Sequence, residues 1–224
     1  MDTKVTNIFA ILGKPGSGKT TTLESILSDQ KFMKKYSMNK LVYNTTRPPR
    51  SNEINGKDYN FISNSEYFDI KSKDFIESRS YDSYKNPNNI IYYFTKKSDI
   101  ILGNNYICKM KFLQFANIKE WSTIKQLESV SKIYMYPIVL EAPLITRINR
   151  MIPEITSNDD TIYDICQKIL FENYDINRIK NTTPYLLDKM DRNNLFINNS
   201  KCTIDEETEQ IKAFTIDKLK LHKH

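Results

Sequence analysis

Ile8-Phe9-Ala10-Ile11-Leu12 runs directly into Gly13-Lys14-Pro15-Gly16-Ser17-Gly18-Lys19-Thr20, with Thr21 following. A short apolar run closed by a glycine predicts a buried strand, Asn7–Leu12. The second stretch reads G-x-x-x-x-G-K-T, and Leu23, Ile26 and Leu27 then recur at helical spacing, so a helix starts near Lys19. Strand, glycine loop and helix start are the context in which a backbone curls its N–H groups around phosphate oxygens. The helix adds its partly positive end. In such a loop Lys19 reaches the β- and γ-phosphates, and the Thr20 hydroxyl faces Mg²⁺. The chain has 5 glycines, and Gly13, Gly16 and Gly18 all fall here, which argues against a chance turn.

The remaining chain reads as alternating strands and helices. Strands are expected at Leu41–Tyr43, Asn60–Ser63, Phe75–Arg79, Ile90–Thr95, Tyr106–Met110, Lys132–Tyr136 (closed by Pro137) and Leu195–Ile197. Helices are expected at Ser65–Lys71, Phe115–Leu127, Leu144–Met151, Ile162–Glu172 and Glu206–Lys220, with a polar turn from Thr156 to Asp160. Asn55-Gly56 marks a tight turn, and Asn86-Pro87-Asn88-Asn89 a loop. This alternation predicts an α/β fold, a parallel sheet with helices on both faces. Residues 47–97 are rich in strands and read as a small, mostly β lobe inserted into a core of 1–46 and 98–224.

Composition narrows the partners. The 224 residues are 39% hydrophobic and 27% charged, with a formal net charge of +6. A basic chain suits polyanions, and nucleotides qualify. No stripe of Lys and Arg interleaved with aromatics argues for a nucleic-acid surface. No apolar run approaches the ~20 residues that span a bilayer, and residues 1–6 lack a signal-peptide pattern. Cys108, Cys166 and Cys202 are widely spaced, as in a cytoplasmic protein with reduced thiols.

A second constellation follows the loop. Thr45-Thr46-Arg47-Pro48-Pro49-Arg50 precedes Glu53-Ile54-Asn55-Gly56-Lys57-Asp58-Tyr59-Asn60-Phe61. Two arginines three apart, stiffened by prolines, can fork around one phosphate through their planar donors, and Tyr59 adds a hydroxyl. One phosphate loop and one arginine clamp describe a phosphoryl donor and a monophosphate acceptor.

Together with Phe75-Ile76-Glu77, these motifs resemble the guanylate kinase family over residues 7–80. The resemblance implies a P-loop fold with a nucleoside-monophosphate-binding lobe and a helical lid at about 141–172, and transfer of the ATP γ-phosphoryl group to GMP or dGMP with Mg²⁺. It implies that Arg47, Arg50, Tyr59 and Tyr93 hold the acceptor phosphate. Glu77 and Thr95 would read guanine, with Tyr43 standing where the family has a serine, Asn44 beside it, and Phe94 where it has a glycine. Arg147 and Arg150 match lid arginines that close on the transferring group, Lys168 stands in for a third, and Asn198 matches an asparagine ending the late strand. The strand Tyr106–Lys111 matches one bearing two aspartates, here Lys109 and Lys111. Residues two apart share a strand face, so both lysines either point at the nucleotides or face water together.

Three functions stay open. The first is a guanylate kinase. The second is a kinase for another or modified (deoxy)nucleoside monophosphate, since Tyr43, Lys109 and Lys111 surround the base and phosphates. The third is a degenerate nucleotide- or protein-binding module, against which the intact phosphate loop argues.

Overall fold

The computed structural model describes residues 4–50, 53–83, 86–110, 131–152, 166, 169–170 and 194–221. The strands are β1 (Lys4–Gly13), β2 (Met38–Lys40), β3 (Asn44–Thr45), β4 (Asn60–Phe61), β5 (Phe75–Ser83), β6 (Asn86–Lys96), β7 (Asn105–Lys109), β8 (Ser131–Glu141) and β9 (Leu195–Asn198). The helices are α1 (Lys19–Ser28), α2 (Gln30–Lys35), α3 (Asn64–Asp69), α4 (Leu144–Met151) and α5 (Ile204–Lys220).

One sheet has five strands in the order β2-β7-β1-β8-β9, every pairing parallel. β1 lies at its centre, and its apolar run is explained by burial on both faces. Successive side chains alternate: Ile8, Ala10 and Leu12 enter one core, Phe9 and Ile11 the other. The second core is closed by Leu23 and Ile26 of α1, Phe32 of α2, and Ile211 and Leu219 of α5. The first is closed, among the described residues, by Leu41, Tyr43, Ile76 and Ile100.

A second sheet of four strands, β4-β3-β6-β5, is antiparallel except where β3 meets β4. β5 and β6 form a long hairpin. Tyr67 of α3 stacks on Tyr92 at 4.0 Å between ring centroids and packs edge-on against Phe94, which is fully buried. Ile76 joins Tyr43 and Leu12 in one apolar cluster, so the two sheets share a core.

Several expected elements differ. Leu41–Tyr43 is not a strand; its neighbours β2 and β3 belong to different sheets, and the segment turns the chain from one to the other while burying Leu41 and Tyr43. Asn86–Asn89 extends β6, because pairing with β5 continues to Ser83↔Asn86. β8 runs through Pro137 instead of ending there. Pro137 lies opposite Ala10, one residue before β9 begins to pair at Ile138, a place where a missing N–H is tolerated. α2 lacks a long apolar period and is held by the Asp29 side chain, which accepts from Phe32 N at 3.0 Å. The expected helix 115–127 and the turn 156–160 lie outside the described residues, as do Lys111, Lys168 and most of 162–172.

Candidate active site

The loop between β1 and α1 is built by backbone. Gly16 has φ +74°, and a Cβ there would run into the Arg147 backbone carbonyl. Gly13, at φ +155°, would put a Cβ 2.7 Å from the Leu140 carbonyl oxygen. Only glycine fits either position. α2, α3 and α5 begin with a side-chain cap from Asp29, Ser63 and Thr203. α1 begins at Gly18 with no side-chain cap, so its first N–H groups stay available to an external acceptor. Lys19 folds back over the loop, donating to the Gly13 carbonyl and to the Lys14 carbonyl at 3.0 Å.

Arginines from a distant part of the chain brace this loop. Arg147, buried on α4, donates to Ala142 O and to Pro15 O, both at 3.2 Å. Arg150 makes two bonds to Asn199, to Oδ1 at 3.0 Å and to the carbonyl at 3.1 Å. Asn199 in turn donates to Ser17 O. β9 ends at Asn198, as expected, and Asn198 Oδ1 accepts from Ser200; the residue that meets the loop is the next one, Asn199. An open cleft of about 470 Å³ runs from Gly16 along Thr21 to Arg150, Asn199, Cys202 and Glu207. Burial raises the Glu207 carboxyl pKa, partly offset by bonds from Thr22 and Asn199.

On the second sheet, Arg47 is gripped by Glu53 in a two-pronged bond, 2.9 and 2.8 Å, while Glu53 also accepts from Arg50 N at 2.8 Å. Burial disfavours both charges, but the paired hydrogen bonds outweigh it, raising the arginine pKa and lowering the glutamate pKa. Arg47 Nε donates to Tyr93 Oη at 3.2 Å, and its guanidinium lies 5.5 Å from the Tyr59 ring. Next to it, Glu77 is 5% exposed, accepts from Thr95 Oγ1 at 3.1 Å and lies 3.6 Å from Arg79. Arg79 also stands over the Tyr93 ring at 5.8 Å. Tyr43 is 7% exposed, and burial, first of all, pushes its hydroxyl pKa well up; Cys108 and Glu77 are its neighbours. The fold thus brings Arg47, Tyr59 and Tyr93 together, with Glu77, Thr95 and Tyr43 alongside. The Arg50 backbone joins through Glu53.

Sequence reasoning passed over Arg79, Glu53 as a holder of Arg47, and Asn199. Arg79 was readable: it lies two residues beyond Glu77 and so shares its strand face.

The Thr20 hydroxyl accepts a bond from Lys109 Nζ at 2.9 Å. Lys109 ends β7, opposite Ile11 of β1, which delivers its side chain to the start of α1. Burial, and then Lys40, lower its pKa. A divalent cation on the Thr20 oxygen would meet this ammonium as a like charge. Among the described residues no group of three or more His, Cys, Asp or Glu is placed to hold a metal. Among the described residues, an ammonium on the Thr20 oxygen is what argues against a tightly held Mg²⁺ there.

Comparisons with known proteins bear on the family and the fold. The family model "Guanylate kinase" matches residues 5–100. The chain is 37% identical over 148 residues to a guanylate kinase of Mycoplasma mobile, covering 63% of this chain and 67% of that protein. It is 36% identical over 96 residues to a guanylate kinase of Clostridium tetani, covering 42% and only 39% of the respective lengths. The crystal structure of guanylate kinase from Anaplasma phagocytophilum superposes with a TM-score of 0.52 at 16% identity, over 97% of this chain and 88% of that one, a likeness of fold. The loop, the paired arginine and glutamate of the second sheet, and a relative matched over two thirds of its length together make this chain a member of the guanylate kinase family.

Proposed function

We propose that the protein transfers the γ-phosphoryl group of ATP to GMP or dGMP. The observation that carries this reading is the pairing of two sites in one chain. One is an uncapped glycine loop carrying Lys19. The other is a cluster in which Arg47 and Tyr93 stand beside buried Glu77. In this reading the loop amides and Lys19 hold the donor phosphates. Arg47, Arg50, Tyr59 and Tyr93 hold the acceptor phosphate, with the Arg47–Glu53 pair keeping the guanidinium in place. Glu77 accepts from the two donors on the guanine edge, a pattern adenine lacks, and Thr95 orients the carboxylate. An acceptor phosphate oxygen bonds to the γ-phosphorus as the bond to the β–γ bridging oxygen breaks, leaving ADP. Such a transfer needs positioning and charge neutralisation, not a protein nucleophile. Arg147 and Arg150 brace the loop from α4, and movement of the 141–172 region over the nucleotides would exclude water.

The domain division into a 1–46 and 98–224 core with an inserted 47–97 lobe belongs to the same proposal, as does a cytoplasmic site of action. Among the described residues, no helix is long and apolar enough to cross a membrane. A second reading, a nucleotide-binding protein with little turnover, is favoured by Lys109 at Thr20. ADP release from ATP, measured with each common ribo- and deoxyribonucleoside monophosphate as acceptor, tests both. Turnover with GMP or dGMP supports the kinase. Turnover with another monophosphate reassigns the base, with Tyr43 as the first residue to change. ATP binding without turnover supports the second reading.

A further inference from the structure

The Thr20 hydroxyl is the group by which a loop of this sequence would hold a metal, and in this chain it faces an ammonium. Lys109 Nζ lies 2.9 Å from Thr20 Oγ1. The backbone that carries this lysine is set by the core. Lys109 is paired with Ile11 in the central parallel ladder, Met110 N donates to Ile11 O at 2.9 Å just beyond it, and both Cys108 and Met110 are buried. Ile11 lies two residues before Gly13, so β1 carries the loop and fixes the lysine's height against it.

We propose that Lys109 serves as a built-in cation at the phosphate loop, taking the charge-neutralising place of a divalent metal, so that a nucleoside triphosphate binds nearly as well without Mg²⁺ as with it. An ammonium has three N–H donors. One goes to Thr20, its hydrogen-bond partner among the described residues, which would leave two for phosphate oxygens laid against the α1 amides. Lys19 closes over the Gly13 and Lys14 carbonyls. The loop would then meet the triphosphate with two lysines. Charge-assisted bonds of this kind are the strong ones. A metal entering at Thr20 would have to displace or repel Lys109, so its own contribution to affinity is reduced.

The inference rests on the reading that this loop takes a nucleoside triphosphate. It is tested on the full chain by titration calorimetry with the β,γ-imido analogue of ATP, in EDTA and in excess Mg²⁺. The wild-type affinities are expected to agree within about threefold, and Lys109→Gln to lose about tenfold or more in EDTA. Lys109→Asp is expected to lose affinity in EDTA and recover it with Mg²⁺. Thermal melting and GMP binding of each variant confirm that it is folded. A wild-type protein that loses about tenfold or more in EDTA, with the same ratio in Lys109→Gln, overturns the inference and leaves the phosphate-loop reading standing. Metal-independent binding that Lys109→Gln leaves unchanged also overturns it. No binding of the analogue under either condition overturns the phosphate-loop reading, and the inference with it.

Discussion

In the proposed function the phosphate loop and the second sheet would solve the same problem, holding a phosphate, by different means. The loop does it with main chain: glycines at positive φ, an uncapped helix start, and one lysine. The second sheet does it with side chains held by other side chains, Arg47 by Glu53 and Tyr93, and Glu77 by Thr95 and Arg79. A backbone site is written into a few consecutive residues. A side-chain site needs partners from several strands, and each partner is a separate point of failure. The loop should therefore fail all at once, and the second sheet by degrees.

The largest effect is expected from Lys19→Ala. Loss of this charge should reduce turnover by about 100-fold or more, and ATP binding should fall while GMP binding is kept. Gly16→Ala should act similarly by a different route, since its Cβ meets the Arg147 backbone at φ +74°. If GMP affinity falls as far as ATP affinity in either variant, the two regions are not separable. Glu77→Gln comes next. It keeps the shape but turns an acceptor into a partial donor. It should lower kcat/KM for GMP by about 10- to 100-fold and narrow the preference over AMP. An unchanged ratio of GMP to AMP turnover would remove Glu77 from base recognition.

Glu53→Ala is milder. It frees Arg47 and the Arg50 backbone without touching the ligand, so KM for the monophosphate should rise about tenfold with ATP affinity unchanged. A fall in kcat with no change in KM would mean that Arg47 acts on the transferring group alone. The smallest effect concerns the shared core. Cys108 is fully buried, and burial pushes its thiol up to about 12. Alkylation in the folded protein should mark exposed Cys166 and partly exposed Cys202 and spare Cys108. Labelling of Cys108 at the rate of Cys166 would show that the two sheets part readily.

Much of this was legible beforehand because local patterns carry it. The start of α1 at Lys19 and the bounds of α4 at Leu144–Met151 match their expected positions, since glycine placement and helical spacing are properties of neighbouring residues. The turn at Asn55-Gly56 formed with Gly56 at φ +77°. What failed depended on partners far away. The Leu41–Tyr43 run looks like a strand because it is apolar, but its residues fill the core between two sheets. Asn86–Asn89 reads as a loop by composition, yet β5 offers a ladder that overrides it. That Asn199, one residue past the end of β9, donates to Ser17 of the loop depends on β9 lying beside β8, where Asn199 N donates to Glu141 O at 3.0 Å.

By itself the sequence determined the strand–loop–helix unit, the α/β character and the motifs that mark the family. Each follows from backbone freedom and side-chain period within a few residues. Only the tertiary structure decided which charges face one another. Arg79 is turned toward Glu77 and Tyr93, Glu53 toward Arg47, and Lys109 toward Thr20, 89 positions away. Electrostatic pairing depends on distance and burial in space, and those are set by the parallel register that lays β7 against β1.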